Sequence, residues 1–279
     1  MNILFLGNSL LLTAVRHLPR LLNQLPQKDL HIQLVYIASG KTHVYVNNFE
    51  RSMKEYFTIN NGKSNRLWTY VYGHDRWKDD VMPDISIREV LTNTKWDIVI
   101  TCSHSARKIL WKYEKYKSKY DEYFQLIRQC TDAKIYWVWT FTPNREFCDE
   151  KLLVQYDDVA KNRWSMYTHL NKVDDTICTN YNLHPVRLRV AYEMLTQKYP
   201  KYHHLIIDSV HPDRGVGEYF CAAYLYNFFF KPIYGVDLSE LRFSYDASKY
   251  KYENTDIQCI SVDEKTKKIV DDVVNFCYI

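Results

Sequence analysis

Two short blocks carry the residue types of nucleophilic acyl chemistry, and they lie near opposite ends of the chain. The first is Gly7–Asn8–Ser9–Leu10, directly after the apolar run Asn2–Leu6. A serine on a tight strand-to-helix turn presents its hydroxyl at the rim of a sheet, and its backbone N–H is left to face a developing oxyanion. The second block is Asp208–Ser209–Val210–His211–Pro212, followed by Gly215, Gly217 and an apolar stretch. A histidine placed just after an aspartate can share one loop with it. The carboxylate then holds the imidazole in the tautomer that accepts a serine proton. Taken singly, the first block also reads as a plain turn or helix cap, and the second as a turn-capping aspartate beside an unrelated histidine.

The elements that must position these blocks alternate along the chain. Asn2–Leu6, Leu30–Ala38, Trp96–Thr101 and Lys134–Trp139 read as buried strands, with a short fifth at Leu183–Val186. Helices are expected at Thr13–Gln24, closed by Pro26, and at Ser86–Leu91, Tyr113–Cys130, Leu152–Tyr181, Arg187–Gln197 and Gly217–Phe230. The stretch Ser39–Gly73 is less regular, with a short helix near Asn48–Tyr56 and a strand near Leu67–Tyr72. Strands separated by helices build βαβ units, a parallel sheet and helices on both of its faces. Ligands of such sheets sit beyond the carboxyl ends of the strands. That rim receives Gly7–Leu10 from the first strand and Cys102–Ser105 from the third. Residues 1–235 are expected to form this domain, and 236–279 an extension packed on the core.

Composition restricts the function classes. The chain has 279 residues, 46% hydrophobic and 25% charged, as in an ordinary globular protein. Its net charge of +4, from 37 basic and 33 acidic residues, is too balanced to suggest a nucleic-acid partner. The basic, Tyr-rich run Arg107–Lys119 reads as a solvated helix face. No apolar run is long enough to suggest a membrane span; the most apolar, Cys221–Phe230, is too short. The 7 cysteines include no CxxC pair, which speaks against a disulfide framework or a zinc ribbon. With no visible signal peptide, a cytoplasmic location is expected.

The two blocks together, one opening the first βα loop and the other preceding the last helix of the domain, resemble the SGNH (GDSL-like) hydrolase superfamily. Intermediate segments resemble its DUF4886 branch, common in gut Bacteroides. These are Trp96–Asp97–Ile98–Val99–Ile100, Asn47–Asn48–Phe49 and Tyr136–Trp137–Val138–Trp139–Thr140. The resemblance covers roughly residues 1–232. It implies a three-layer α/β/α, flavodoxin-like fold with a five-stranded parallel sheet. It also implies a cofactor-free serine esterase or deacylase with Ser9, His211 and Asp208 as its triad. Its oxyanion donors would be the N–H groups of Ser9 and Gly40, with a third from Ser103, His104 or Ser105. Asn8, Asn48, His104 and Ser105 are candidate substrate contacts.

The chain departs from the superfamily pattern at one place. Thr101–Cys102–Ser103–His104–Ser105 stands where a Gly-x-Asn-Asp block usually supplies the third donor. Short-chain esters, acetyl above all, on a carbohydrate or small alcohol are the expected substrates. An O-acyltransferase with the same triad is one alternative. A weak or inactive glycan-binding protein, using Trp68, Trp111, Trp139 or Trp164, is another. Two rival readings of the same segments are a metal site at His203, His204, Asp208 and His211, and an anion-binding helix start at Gly7–Ser9.

Overall fold

Ile3 and Phe5 alternate with Leu4 and Leu6, and every one of the four is fully buried. A strand with apolar residues on both faces must lie inside a sheet covered on both sides. The computed structural model describes residues 1–26, 29–37, 42–55, 65–81, 83–103, 113–145, 160–202, 205–206, 211–251 and 258–277. In it, β1 (Asn2–Gly7) runs at the centre of the sheet, hydrogen-bonded in parallel to β2 (His31–Ile37) and β5 (Ile98–Thr101). The parallel set continues through β6 (Lys134–Val138) to β7 (His184–Val186).

Those five parallel strands match the expected number. Two more extend the sheet beyond β2: β3 (Asn65–Thr69) and β4 (Lys78–Val81), both antiparallel. The order is β4-β3-β2-β1-β5-β6-β7. The expected short strand near Leu67–Tyr72 is thus part of the main sheet, paired along Gln33–Ile37.

Helices cover both faces, and the alternation of strand residues divides the core accordingly. Ile3, Phe5, Ile32, Leu34, Ile100 and Val138 share one apolar cluster. On that face lie α1 (Ser9–Val15), α2 (Leu18–Leu22), α7 (Leu188–Lys198), α8 (Val216–Leu225) and α10 (Glu264–Phe276). Leu4, Leu6, Val35, Val99 and Trp137 point the other way. They pack with α3 (Thr42–Asn47), α4 (Ile87–Asn93), α5 (Tyr113–Cys130) and α6 (Arg163–Tyr181). The result is the expected α/β/α layering.

Several boundaries differ from the sequence expectation for identifiable reasons. The helix expected over Thr13–Gln24 is two helices, α1 and α2, which meet at Arg16–His17 because Pro19 can open a helix but not continue one. Helix α6 begins at Arg163, where Asn162 and Ser165 form a reciprocal cap; residues 152–159 of the expected helix lie outside the described residues. Helix α8 ends at Leu225 in one π-helical turn, Tyr226–Phe230, before the short α9 (Lys231–Tyr234). The C-terminal segment adds Leu238, Leu241, Phe243, Val262, Val270, Val273 and Val274 to the α1/α8 side of the core. Among the described residues, no helix is long and apolar enough to cross a membrane.

A buried ion pair braces the β6–β7 side. Arg189 and Asp174 are fully buried and meet at 2.5 Å, and Trp137 Nε1 donates to the same carboxylate at 2.7 Å. The guanidinium also donates to the Thr140 carbonyl at 2.8 Å and to Asn171 Oδ1 at 2.8 Å. With these partners the desolvated charges are hydrogen-bonded rather than stranded.

Candidate active site

Strand β1 delivers the chain to the sheet rim, and the turn there is built from its own residues. Gly7 lies so close to α1 that an added Cβ would sit 2.5 Å from Leu11 Cβ, so only glycine lets the helix start this near the strand. Asn8 caps α1: its Oδ1 accepts from the Leu10 N–H at 3.0 Å, and its carbonyl accepts from Leu11 and Leu12. Thr13 Oγ1 donates back to the Ser9 carbonyl at 3.0 Å. Ser9 is therefore the first residue of the helix, where its N–H has no intrahelical acceptor.

The second block arrives from far along the chain. His211 Nε2 lies 2.7 Å from Ser9 Oγ, a hydrogen bond that spans 202 positions. Both side chains are half-buried. The distance falls within the range over which an imidazole takes a hydroxyl proton. The structure therefore brings Ser9 and His211 together, while Asp208 lies outside the described residues.

The loop after His211 is held by buried acids that the sequence reading passed over. Asp213 is fully buried. Its Oδ2 accepts from the Ile260 N–H at 2.9 Å, and its Oδ1 accepts from the Gly217 N–H. Burial raises this carboxyl to about 7, against the pull of the backbone N–H groups of Gly217, Ile260 and Gly215. The Val216 N–H donates to the Ile260 carbonyl at 3.0 Å. A Cβ on Gly215 would meet that same carbonyl oxygen at 1.9 Å, so glycine is required for this approach.

Glu218, in the first turn of α8, is only 1% exposed. It faces Arg16, Arg214 and His17. Burial and the neighbouring Asp213 push the Glu218 carboxyl upward, and Arg214 and His211 oppose that rise. The 2.5 Å contact from Arg16 Nη1 is short and charge-assisted, and it favours the carboxylate. Burial lowers His17 to about 4, which leaves it neutral near pH 7. Buried acids such as these carry no spacing signature; only an acidic residue early in an otherwise apolar helix could have hinted at Glu218.

The remaining candidates are distributed as follows. Ser103 follows β5, is fully buried, and its Oγ has no hydrogen-bond partner among the described residues. Its carbonyl accepts from Thr140 Oγ1 at 3.3 Å. The neighbouring Cys102 thiol reaches Asn8 Oδ1 at 3.7 Å, which ties the end of β5 to the Ser9 turn. Asn8 is fully buried, its oxygen occupied in capping. Asn48, just beyond α3, is also buried and donates to the Val44 carbonyl at 2.8 Å. Gly40, His104 and Ser105 lie outside the described residues, as do His203 and His204 of the rival metal reading. Among the described residues no cluster of three or more His, Cys, Asp or Glu could hold a metal ion. Of the tryptophans, Trp139 is buried and faced by Arg187, Trp68 is half-buried, and Trp164 is exposed and stacked on Tyr167. Trp111 lies outside the described residues.

No protein-family model and no curated protein sequence matches the chain. Solved structures do. A DUF4886 family protein from Bacteroides uniformis superposes with a TM-score of 0.71 at 17% identity, over 100% of this chain and 94% of its own. A candidate SGNH hydrolase from Slackia heliotrinireducens superposes with a TM-score of 0.51 at 16% identity, over 81% of this chain and 97% of its own. At these identities the likeness is one of fold. The chain has the SGNH-hydrolase fold, and it resembles the DUF4886 family protein over its whole length.

Proposed function

We propose that the chain is a serine esterase or deacylase, with Ser9 as nucleophile and His211 as general base. The observation that carries this reading is the 2.7 Å contact between Ser9 Oγ and His211 Nε2 at the carboxyl rim of the parallel sheet. A serine alone is a weak nucleophile; an imidazole in contact with its hydroxyl accepts the proton as the oxygen attacks an ester carbonyl. His211 then returns that proton to the leaving alcohol, and water, activated by the same imidazole, releases the acyl group. Asp208 is the group assigned to hold His211 Nδ1–H.

The negative charge that develops on the carbonyl oxygen needs donors. The Ser9 N–H at the start of α1 is one, aided by the positive end of that helix. Gly40 N–H is assigned as the second. Ser103, with a buried hydroxyl that lacks a partner among the described residues, is the candidate third. Short acyl groups, acetyl first, on a carbohydrate or small alcohol are the proposed substrates; this rests on the SGNH resemblance.

The test is Ser9→Ala against p-nitrophenyl acetate and a panel of acetylated sugars. Turnover is expected to fall on the order of 10⁴-fold or more, with the melting temperature unchanged. Wild-type turnover in that variant would refute the assignment. Within the panel, rates falling as the acyl chain lengthens would support the substrate class, and a preference for long chains would overturn it.

A further inference from the structure

Glu218 is a buried carboxylate that the reaction above does not use. Its Oε1 accepts from Arg16 Nη1 at 2.5 Å and lies 3.4 Å from Arg214 Nη1. Its Oε2 stands 3.6 Å from His17 Nε2. Arg16 is the C-cap of α1, the helix that begins at Ser9. Arg214 lies in the loop that begins at His211, and its carbonyl is 3.3 Å from His17 Nε2. One carboxylate thus gathers the far end of the nucleophile's helix and the loop that carries the imidazole.

Rigid geometry gives this contact leverage. A helix rises about 1.5 Å per residue, so Arg16 sits roughly 10 Å from Ser9 along a stiff rod. Fixing the far end of a short rod against α8 fixes the direction in which its first residue points. Reacting atoms tolerate little error: a misplacement of about 1 Å can cost on the order of 10²-fold in rate.

We propose that Glu218 is a positioning residue, which sets the Ser9–His211 geometry by holding Arg16 and Arg214 on one buried carboxylate. This rests on the reading of Ser9 and His211 as the reacting pair. Glu218 itself touches neither the hydroxyl nor, in this role, the substrate. The groups that face it are Arg16 and His17 from the α1–α2 junction, and Arg214, Asp213 and His211 from the loop before α8.

The experiment uses the full chain carrying Glu218→Gln, which keeps the shape and one acceptor oxygen but removes the charge. Active sites are counted by the end-point of labelling with a fluorophosphonate, and kcat on p-nitrophenyl acetate is expressed per labelled site. A fall in kcat and in labelling rate of about ten- to a hundredfold is expected, with KM within about twofold. A merely structural role would lower the melting temperature and the number of active sites, and leave kcat per site alone. Because a buried variant can fail to fold, Arg16→Met provides a second arm: its side chain is 33% exposed, and the same loss of kcat per site is expected. The double variant should lose no more than the worse single, since both break one contact. Wild-type kcat per site in Arg16→Met, or in a folded Glu218→Gln, would overturn the proposal. Should Ser9→Ala keep its activity, the reading beneath it fails instead, so the two failures are told apart.

Discussion

The Ser9 turn is held by atoms close to it in the chain, the His211 loop by atoms far from it. Around Ser9, the capping oxygen of Asn8, the carbonyl of Asn8 and the hydroxyl of Thr13 all act within a few residues. Around His211, Asp213 receives the Ile260 N–H, Gly215 abuts the Ile260 carbonyl, and the Asp213 N–H donates to Leu205 at 2.7 Å. The Ser9 turn can take its form as soon as β1 and α1 form. The His211 loop takes its form only when the C-terminal segment has docked. In this chain the turn that carries the hydroxyl is shaped by local structure, and the loop that carries the imidazole by tertiary structure.

That contrast can be broken most severely at Gly215. Gly215→Ala would drive a Cβ into the Ile260 carbonyl, where only backbone could yield. A loss of about 3 kcal/mol in unfolding free energy is expected from urea titration, with His211 displaced and activity lost even where the fold persists. A loss under about 0.5 kcal/mol would mean that the C-terminal segment does not brace the loop.

Asp213→Asn is the next largest change. It removes acceptor capacity from buried N–H groups, for a loss of about 1–3 kcal/mol. It also carries a pH signature. Burial lifts the folded-state pKa from 3.8 to about 7, so between those values the folded chain keeps a proton that the unfolded chain has released. Stability contributed by Asp213 should therefore be greatest near pH 4, fall as pH rises to 7, and be flat above. The wild-type minus Asn difference, measured by denaturant unfolding from pH 4 to 8, checks the sign.

The smallest effect belongs to the local side. Asn8→Ala removes one cap and should cost about 1 kcal/mol, with the same urea titration as the readout. A cost as large as that at Gly215 would erase the distinction between the two loops.

The same contrast explains what could be read in advance. Layering and the five parallel strands follow from continuous apolar runs in stretches such as Asn2–Leu6 and Trp96–Thr101, because both faces of those strands are apolar. Ser9 and His211 were legible as residue types in a known arrangement, and they meet. Glu218 and Asp213 were not, since what defines them is burial and partners brought from Arg16 and Ile260. The break between α1 and α2 is marked by Pro19, which sits at the start of α2 rather than inside one long helix. The strand near Leu67–Tyr72 is legible, but its antiparallel pairing with β2 is not, and the short, charged Lys78–Val81 carries no strand signal.

Both margins of the sheet are poor templates for a further strand. At one end β7 has three residues, and Pro185 at its middle lacks the N–H that another chain would need. At the other, β4 has four residues and pairs with β3 through a shifted register. A sheet whose strands are so hydrophobic within is thereby kept from growing sideways into its neighbours, so crowding should penalise this protein less than its Ile- and Leu-rich strands suggest.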